Sequence, residues 1–177
     1  KALIDRFGSV AGVLSAPASE LESVKGVSEA TIALIAVTAD LARRAVREEI
    51  ADGPVLSSWT KLIDYRRVAM GHARTEEFRL LFLDSKNRLI ADEVQGTGTV
   101  NRTAVYPREV VKRALEHGAT AIIMVHNHPS GDPTPSRADV EMTEEVRDAG
   151  ELLGITLHDH VVISKSGHES FKSMGLL

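Results

Sequence analysis

The most informative segment of this chain is His126-Asn127-His128-Pro129-Ser130-Gly131-Asp132-Pro133-Thr134-Pro135-Ser136-Arg137-Ala138-Asp139. The apolar run 121–125 before it predicts a short buried strand, and the segment from Val140 to Leu153 after it predicts a helix. The chain therefore leaves a sheet, passes through a turn rich in proline and glycine, and enters a helix. This path brings two imidazoles and a carboxylate to one rim of the sheet, where they can hold a metal ion.

The metal ligands follow from the spacing of this stretch. Side chains two residues apart on an extended segment point to the same side, so His126 and His128 can bind one ion together. Asp139 lies in the first turn of the predicted helix, from which its carboxylate can turn back to the same point. Three nitrogen and oxygen ligands leave a fourth tetrahedral position for water, which is the pattern of a catalytic zinc site. Zinc lowers the pKa of that water to about 7, so the pattern predicts hydrolysis.

Hydrolysis also requires a carboxylate that accepts a proton without binding the metal. The upstream candidates are Glu76, Glu77 and Glu93. Ser136 offers a hydroxyl near the metal that can stabilise the oxyanion of a tetrahedral intermediate. The spacing of Ser136 and Asp139 is also that of a capping box, in which both residues only start the helix. The two interpretations are compatible, because the capping geometry fixes the first turn.

The other histidines are weaker candidates. His158-Asp159-His160 repeats the His-X-His pattern but lacks the turn, the spaced aspartate and the serine. We interpret these two histidines as structural groups or as partners of the metal ligands, with His160 the better candidate for that second role. We expect the isolated histidines to lie at the surface: His72, His117 and His168.

The composition excludes several classes of protein. With 177 residues, 43% hydrophobic and 26% charged, and a net charge of −4, the chain is globular and shows no overall basicity for binding nucleic acid. The absence of cysteine excludes thiol catalysis, disulfides and thiolate zinc sites. No apolar run reaches about 18 residues, so we expect no membrane span. Because the chain begins with Lys1 and has no signal-peptide pattern, we expect a fragment of a longer, cytoplasmic protein.

Residues 1–50 carry a helical pattern and form the first predicted domain. Gly26 suits a tight turn between two helices, and Ser28 suits the N-cap of the second. This turn resembles a helix-hairpin-helix, which binds DNA backbone without sequence specificity, although the usual second glycine is replaced by Ser28. Six Lys and Arg stand against seven Asp and Glu in this region, so no basic face is evident. DNA binding and protein contacts therefore both remain open for this domain.

The rest of the chain predicts a linker at 51–57 and an α/β domain at 58–177. We expect a short helix at 58–70 whose buried side carries Trp59, Leu62, Ile63 and Val68. A hairpin of strands at 78–84 and 88–94 follows, with a third strand within 98–105 and a helix from Pro107. A further strand is expected at 155–164, and Phe171 in a last short one. Alternating strands and helices predict a mixed sheet flanked by helices.

The order, type and spacing of His126, His128, Ser136 and Asp139 resemble the JAMM motif of MPN-domain metalloproteins. The segments 78–90, 105–111 and 126–133 closely resemble the bacterial RadC family, and the resemblance extends over nearly all of the chain. It implies a zinc-binding α/β fold related to cytidine deaminases, preceded by a helix-hairpin-helix region.

The resemblance also implies roles for the site residues. His126, His128 and Asp139 would bind Zn²⁺, Ser136 would support the oxyanion, and an upstream glutamate would act as general base. The family commonly carries that glutamate two residues before the strand's Phe, which is Glu76; the spacing in JAMM peptidases also permits Glu77, and we favour Glu76.

The leading hypothesis is therefore a zinc metallohydrolase that acts on a peptide or isopeptide bond of a protein or peptide substrate. The alternative is a DNA-associated repair or recombination accessory protein in which residues 1–50 bind DNA and the JAMM domain binds partners. A zinc deaminase is set aside, because those enzymes need a cysteine pair and a His-X-Glu that this chain lacks. The intact ligand set also argues against a domain that has lost its metal and only scaffolds a complex.

Overall fold

A computed structural model describes residues 1–51, 55, 59–60, 62–63, 70, 73, 75–98 and 105–177. The first of these ranges is helical, as the sequence predicts, with α1 (Ala2–Phe7), α2 (Val10–Ser15), α3 (Ala18–Glu22) and α4 (Glu29–Ala51). Gly26 adopts a left-handed φ of 88° in the turn before α4, a conformation that favours glycine. The side chain of Ser28 accepts a hydrogen bond from the N–H of Thr31 at 3.3 Å, which confirms the predicted cap.

The described part of the C-terminal region contains a five-stranded mixed sheet with the order β2-β1-β3-β4-β5. Its strands are β1 (Glu77–Leu83), β2 (Leu89–Thr97), β3 (Ala121–Asn127), β4 (Thr156–Ile163) and β5 (His168–Ser170). Its helices are α5 (Pro107–Glu116), α6 (Arg137–Glu151) and α7 (Phe171–Met174). β3 and β4 are parallel, and the other neighbouring pairs are antiparallel. α6 joins β3 to β4, because a parallel pair needs a crossover connection.

Apolar side chains cover both faces of this sheet. On one face, α5 and α6 pack against β1 and β3 through a buried cluster that includes Phe78, Phe82, Val110, Met124 and Val146. On the other face, the strands pack against side chains from the segment before β1, namely Val55, Leu62, Ile63 and Met70, with Trp59 partly buried beside them. The mixed sheet flanked by helices is therefore confirmed, and β3 lies at its centre with every residue buried.

Several details differ from the sequence expectations. Phe171 begins α7 rather than lying in a strand, because the side chain of Ser170 accepts a hydrogen bond from the N–H of Ser173 and caps a short helix. α6 begins at Arg137, three residues earlier than expected, since Ser136 caps it. The expected strand within 98–105, most of the helix at 58–70 and most of the linker at 51–57 lie outside the described residues. Among the described helices, none has the length and apolar character that crossing a membrane requires.

Candidate metal centre

The site lies where β3 ends, and strands on both sides hold that end in place. His126 pairs with Phe78 of β1 and with Val162 of β4, and it is fully buried. The N–H of His128, one residue past the strand, donates to the carbonyl of Ile163 at 2.8 Å. The extended conformation therefore continues through His128. The two imidazoles lie on the same face, with their Nε2 atoms 3.0 Å apart.

The carboxylate comes from the first turn of α6, whose N-cap is Ser136. The Ser136 hydroxyl accepts a hydrogen bond from the N–H of Asp139 at 3.2 Å. In return, Oδ2 of Asp139 accepts from the N–H of Ser136 at 2.7 Å and from its hydroxyl at 2.6 Å. Oδ1 of Asp139 lies 3.5 Å from Nε2 of His126. The capping box thus does more than start the helix, because it also holds the Asp139 carboxylate beside the histidines.

The spacing of these three side chains suits tetrahedral metal coordination. The two Nε2 atoms are 3.0 Å apart. Oδ1 of Asp139 lies 3.5 Å from Nε2 of His126, and Oδ2 lies 3.6 Å from Nε2 of His128. Zinc–ligand bonds of about 2.0–2.1 Å place tetrahedral ligand atoms roughly 3.3 Å from one another. Within the described ranges, these residues form the one group of His, Asp and Glu close enough to share an ion. The residues present therefore fit a zinc ion.

Hydrogen bonds on the far side of each ring determine which nitrogen carries the proton. Nδ1 of His128 lies 2.9 Å from the backbone carbonyl oxygen of Asp132. A carbonyl oxygen can only accept, so Nδ1 carries a proton and donates it. In the neutral ring, Nε2 of His128 is then free to bind a metal through its lone pair.

A chain of three hydrogen bonds determines which nitrogen of His126 carries the proton. The Thr143 hydroxyl donates to the carbonyl of Asp139 at 2.5 Å, so towards Nδ1 of His160, 2.6 Å away, it can only accept. Nδ1 of neutral His160 thus carries the proton, and its Nε2 accepts from Nδ1 of His126 at 2.8 Å. Nε2 of His126 keeps its lone pair and faces the site. The chain runs from the backbone of one ligand to the ring of another.

Burial and charge set the protonation of the metal-free site. Burial lowers the pKa of His126 to about 4 and lowers the pKa of His160 well below its ordinary value, so both rings are neutral at pH 7. Hydrogen bonding to Asp139 raises the pKa of His128 despite partial burial. Burial alone would raise the pKa of Asp139, but His128, His126 and Ser136 together hold it well below its usual range. The site thus offers a carboxylate and one fixed neutral imidazole, with His128 as the more basic ring.

Glu76 lies on the same side of the sheet as the metal ligands. Phe78 pairs with His126 in the antiparallel β1–β3 ladder, so Glu76, two residues earlier, lies across from His128 on the same face. Glu76 is only 8% exposed. The hydrogen bonds that Asp139 and the carbonyl of Asp132 accept from His128 raise its pKa most, and the charges of Asp139 and Glu76 raise it further. Of the upstream glutamates, Glu76 is therefore brought to the site.

Glu77 and Glu93 make their contacts elsewhere. The side chain of Glu77 lies on the opposite face and accepts a hydrogen bond from Arg79 at 2.8 Å. Glu93 on β2 binds the guanidinium of Arg113 on α5 and accepts from Nε2 of His117 at 2.8 Å. These partners, Arg113 first, lower the pKa of Glu93 to about 2. His117 is thus part of a polar cluster at the β2–α5 contact and is not an isolated surface histidine.

The second His-X-His pair does not bind as a pair. A register irregularity between β3 and β4 separates its members, and Nε2 of His158 pairs with Oδ1 of Asn87 in the β1–β2 turn at 2.7 Å. His160 instead reaches His126. His168 is exposed, as expected, and His72 lies outside the described residues. Thr143 was not predicted from the sequence, although its position four residues after Asp139 on α6 places both residues on one helix face.

The fold and the site together define an α/β protein with a candidate metal site, in which a strand, a turn and a helix supply two histidines and an aspartate. A family model described as RadC-like JAB domain matches residues 56–176. The chain therefore belongs to the RadC-like JAB domain family, which confirms the resemblance seen in the sequence and supports a JAMM-type fold. Proteins of the JAB family typically bind a metal, and the three ligand residues lie close together here.

Proposed function

We propose that this protein is a zinc-dependent metallohydrolase of JAMM type that cleaves a peptide or isopeptide bond. The observation that carries the proposal is the convergence of Nε2 of His126, Nε2 of His128 and the carboxylate of Asp139, whose two oxygens lie 3.5 Å and 3.6 Å from these nitrogens, with the buried Glu76 on the same face. Two nitrogen ligands, one oxygen ligand and no thiolate match a hydrolytic zinc site rather than a structural one.

The ion supplies a simple kind of chemistry when bound, since it acidifies a water molecule and polarises a carbonyl group. The chain's own residues determine where that chemistry occurs. The side chain of His126 is 1% exposed, whereas those of His128 and Asp139 are 18% and 15% exposed. A substrate therefore approaches from the side of His128 and Asp139, and His126 forms the closed wall of the site.

In this proposal Glu76 accepts the proton of the attacking water and returns it to the leaving amine. Its position on the face of the sheet that carries His126 and His128, and its near-complete burial, support this role. Glu77 is held by Arg79 on the opposite face, and Glu93 is held by Arg113 and His117 at the β2–α5 contact. Neither is placed to receive that proton.

Ser136 is proposed to support the oxyanion through its hydroxyl. That hydroxyl donates to Oδ2 of Asp139, whose second bond to the Ser136 N–H would remain if the hydroxyl turned towards a substrate. The capping interaction through the backbone is therefore not lost when the hydroxyl changes partner. Ser136→Ala should retain zinc and lose about 10²-fold or more in kcat.

Substrate trapping with Glu76→Gln protein tests the function and identifies the substrate. The expected result is that zinc-loaded Glu76→Gln protein binds a peptide or protein that the wild type releases as products. Glu77→Gln is the matched control, since it neutralises the adjacent glutamate on the other face, and it should turn over like the wild type. Equal turnover by the Glu76→Gln protein would remove Glu76 from the mechanism.

DNA association through residues 1–50 stays a prediction from the sequence. The helical turn at Gly26 and the cap at Ser28 are those of a helical hairpin, but six basic against seven acidic residues supply little attraction for phosphate. Salt-dependent binding of duplex or branched DNA would favour this role, and no binding at low salt would exclude it.

A further inference from the structure

Asn127 lies between the two histidine ligands in sequence, and its side chain points to the opposite face of the sheet. The residue is 1% exposed. Its Oδ1 accepts a hydrogen bond from the N–H of Glu77 at 2.8 Å, and its Nδ2 donates to the carbonyl of Thr75 at 3.1 Å. Because an N–H only donates and a carbonyl only accepts, the orientation of the amide is determined. One side chain therefore binds the backbone on both sides of Glu76.

These two hydrogen bonds take the place of backbone pairing between β1 and β3, which ends before it reaches Glu76. The β1–β3 ladder stops at Phe78 and His126, and the N–H of Glu77 bonds to the side chain of Asn127 instead of to a backbone carbonyl of β3. The carboxamide of Asn127 offers the donor and acceptor of a peptide group, and it continues the pairing past Phe78. On the other side, the carbonyl of Glu76 accepts a hydrogen bond from the N–H of Gly98 at 2.8 Å. The backbone of Glu76 and its neighbours is thus held from two directions.

We propose that Asn127 is a positioning residue that holds Glu76 beside His128 and the metal site. The inference rests on the proposed function, since it takes Glu76 as the proton acceptor. A general base must lie within about 2.6–3.2 Å of its proton donor, so a small backbone shift at Glu76 would remove it from reach. Among near-isosteric residues, aspartate keeps the acceptor for Glu77 but loses the donor for Thr75.

The test uses the cobalt(II)-substituted protein and needs no substrate. The visible spectrum of bound cobalt is recorded as a function of pH for wild type, Glu76→Gln, Asn127→Ala, Asn127→Asp and the doubles that combine each Asn127 variant with Glu76→Gln. We expect stoichiometric metal in all of them. Asn127→Ala should shift the midpoint of the spectral transition by about one pH unit, in the same direction as Glu76→Gln. In the Glu76→Gln background it should produce no further shift.

Two controls separate positioning from general destabilisation. Ser170→Ala removes a buried hydrogen bond to Asp159, 2.5 Å long, in the same sheet but outside the Glu76 contacts, and should leave the midpoint unchanged. Asn127→Asp keeps the volume of the side chain and serves if Asn127→Ala does not fold; its shift in the Glu76→Gln background measures the effect of the added charge alone.

The outcomes distinguish the inference from the proposed function. If wild type binds no stoichiometric metal, the proposed function fails and the inference with it. If Glu76→Gln shifts the midpoint but neither Asn127 variant does, only the role of Asn127 is overturned. A shift by Asn127→Ala that is equally large with and without Glu76 would also overturn it, because the effect would not pass through Glu76.

Discussion

Nδ1 of His126 donates a hydrogen bond to Nε2 of His160 at 2.8 Å, between adjacent strands of the sheet. This bond determines which nitrogen of His126 is available to a metal. Nε2 of His160 can accept this bond because Nδ1 of the same ring carries the proton and donates it to the Thr143 hydroxyl. That hydroxyl in turn donates to the carbonyl of Asp139. The proposed metal ligand His126 thus depends on two side chains, those of His160 and Thr143, that are not themselves proposed ligands.

Thr143→Val should weaken zinc binding by about 10- to 100-fold, which is the usual effect of losing a partner of a metal-bound histidine. Valine has nearly the same shape but cannot accept the Nδ1 proton of His160, so the tautomer of His126 is no longer fixed. Thr143→Ser retains the hydroxyl and should bind zinc like the wild type. Competition with a chromophoric chelator measures both affinities, and equal affinity of the valine and serine variants would refute the hydrogen-bond chain.

The metal-free protein should lose stability as pH falls from about 6.5 to about 4. Burial lowers the pKa of His126 to about 4, whereas in the unfolded chain this histidine has a pKa near 6.5. Between these pH values the unfolded state binds a proton at His126 and the native state does not. The contribution of His126 to the free energy of unfolding is therefore fully present above pH 6.5 and is lost by about pH 4, and the loss is on the order of 3 kcal/mol. Urea denaturation across this range measures it.

The control for this pH effect is the exposed histidine His168, and His168→Gln should show the same decline as the wild type. His126→Asn removes the titrating ring, so its stability should decline less over the same range. The part that remains would come from His160, whose pKa is also lowered by burial. Identical slopes for the wild type and His126→Asn would contradict this assignment.

Glu93→Gln should leave zinc affinity and substrate turnover unchanged, because Glu93 binds Arg113 and His117 at the β2–α5 contact. The half-exposed ion pair contributes little, so the free energy of unfolding should fall by less than about 1 kcal/mol. Loss of turnover with intact folding would reopen Glu93 as the general base.

The proximity of the three side chains of the candidate metal site could be predicted from sequence because they are local. His126, His128 and Asp139 lie on one strand, turn and helix, so spacing alone brings them together. The capping box of Ser136 and Asp139 could be predicted for the same reason, because its two residues are only three positions apart. The order of elements likewise indicates a mixed sheet flanked by helices, which the structure confirms.

The resemblance favoured Glu76, and His160 was a candidate partner of the metal ligands, but spacing alone could not place either residue, because both positions depend on register between distant strands. Strand alternation says that Glu76 and Glu77 face opposite sides, but only the pairing of Phe78 with His126 tells which one faces the metal. The contact of His160 with His126 likewise depends on the register of the parallel β3–β4 pair. His117 is partly exposed but not isolated as expected, because α5 brings it beside Glu93 on β2.

Metal content shows whether His126, His128 and Asp139 form a zinc site. Wild type and His128→Ala are expressed with added zinc, and their metal content is measured by mass spectrometry, with His168→Ala as the matched histidine control. We expect about one zinc per chain for wild type and His168→Ala, and close to none for His128→Ala. Wild type without zinc, or His128→Ala with a full complement, would contradict it.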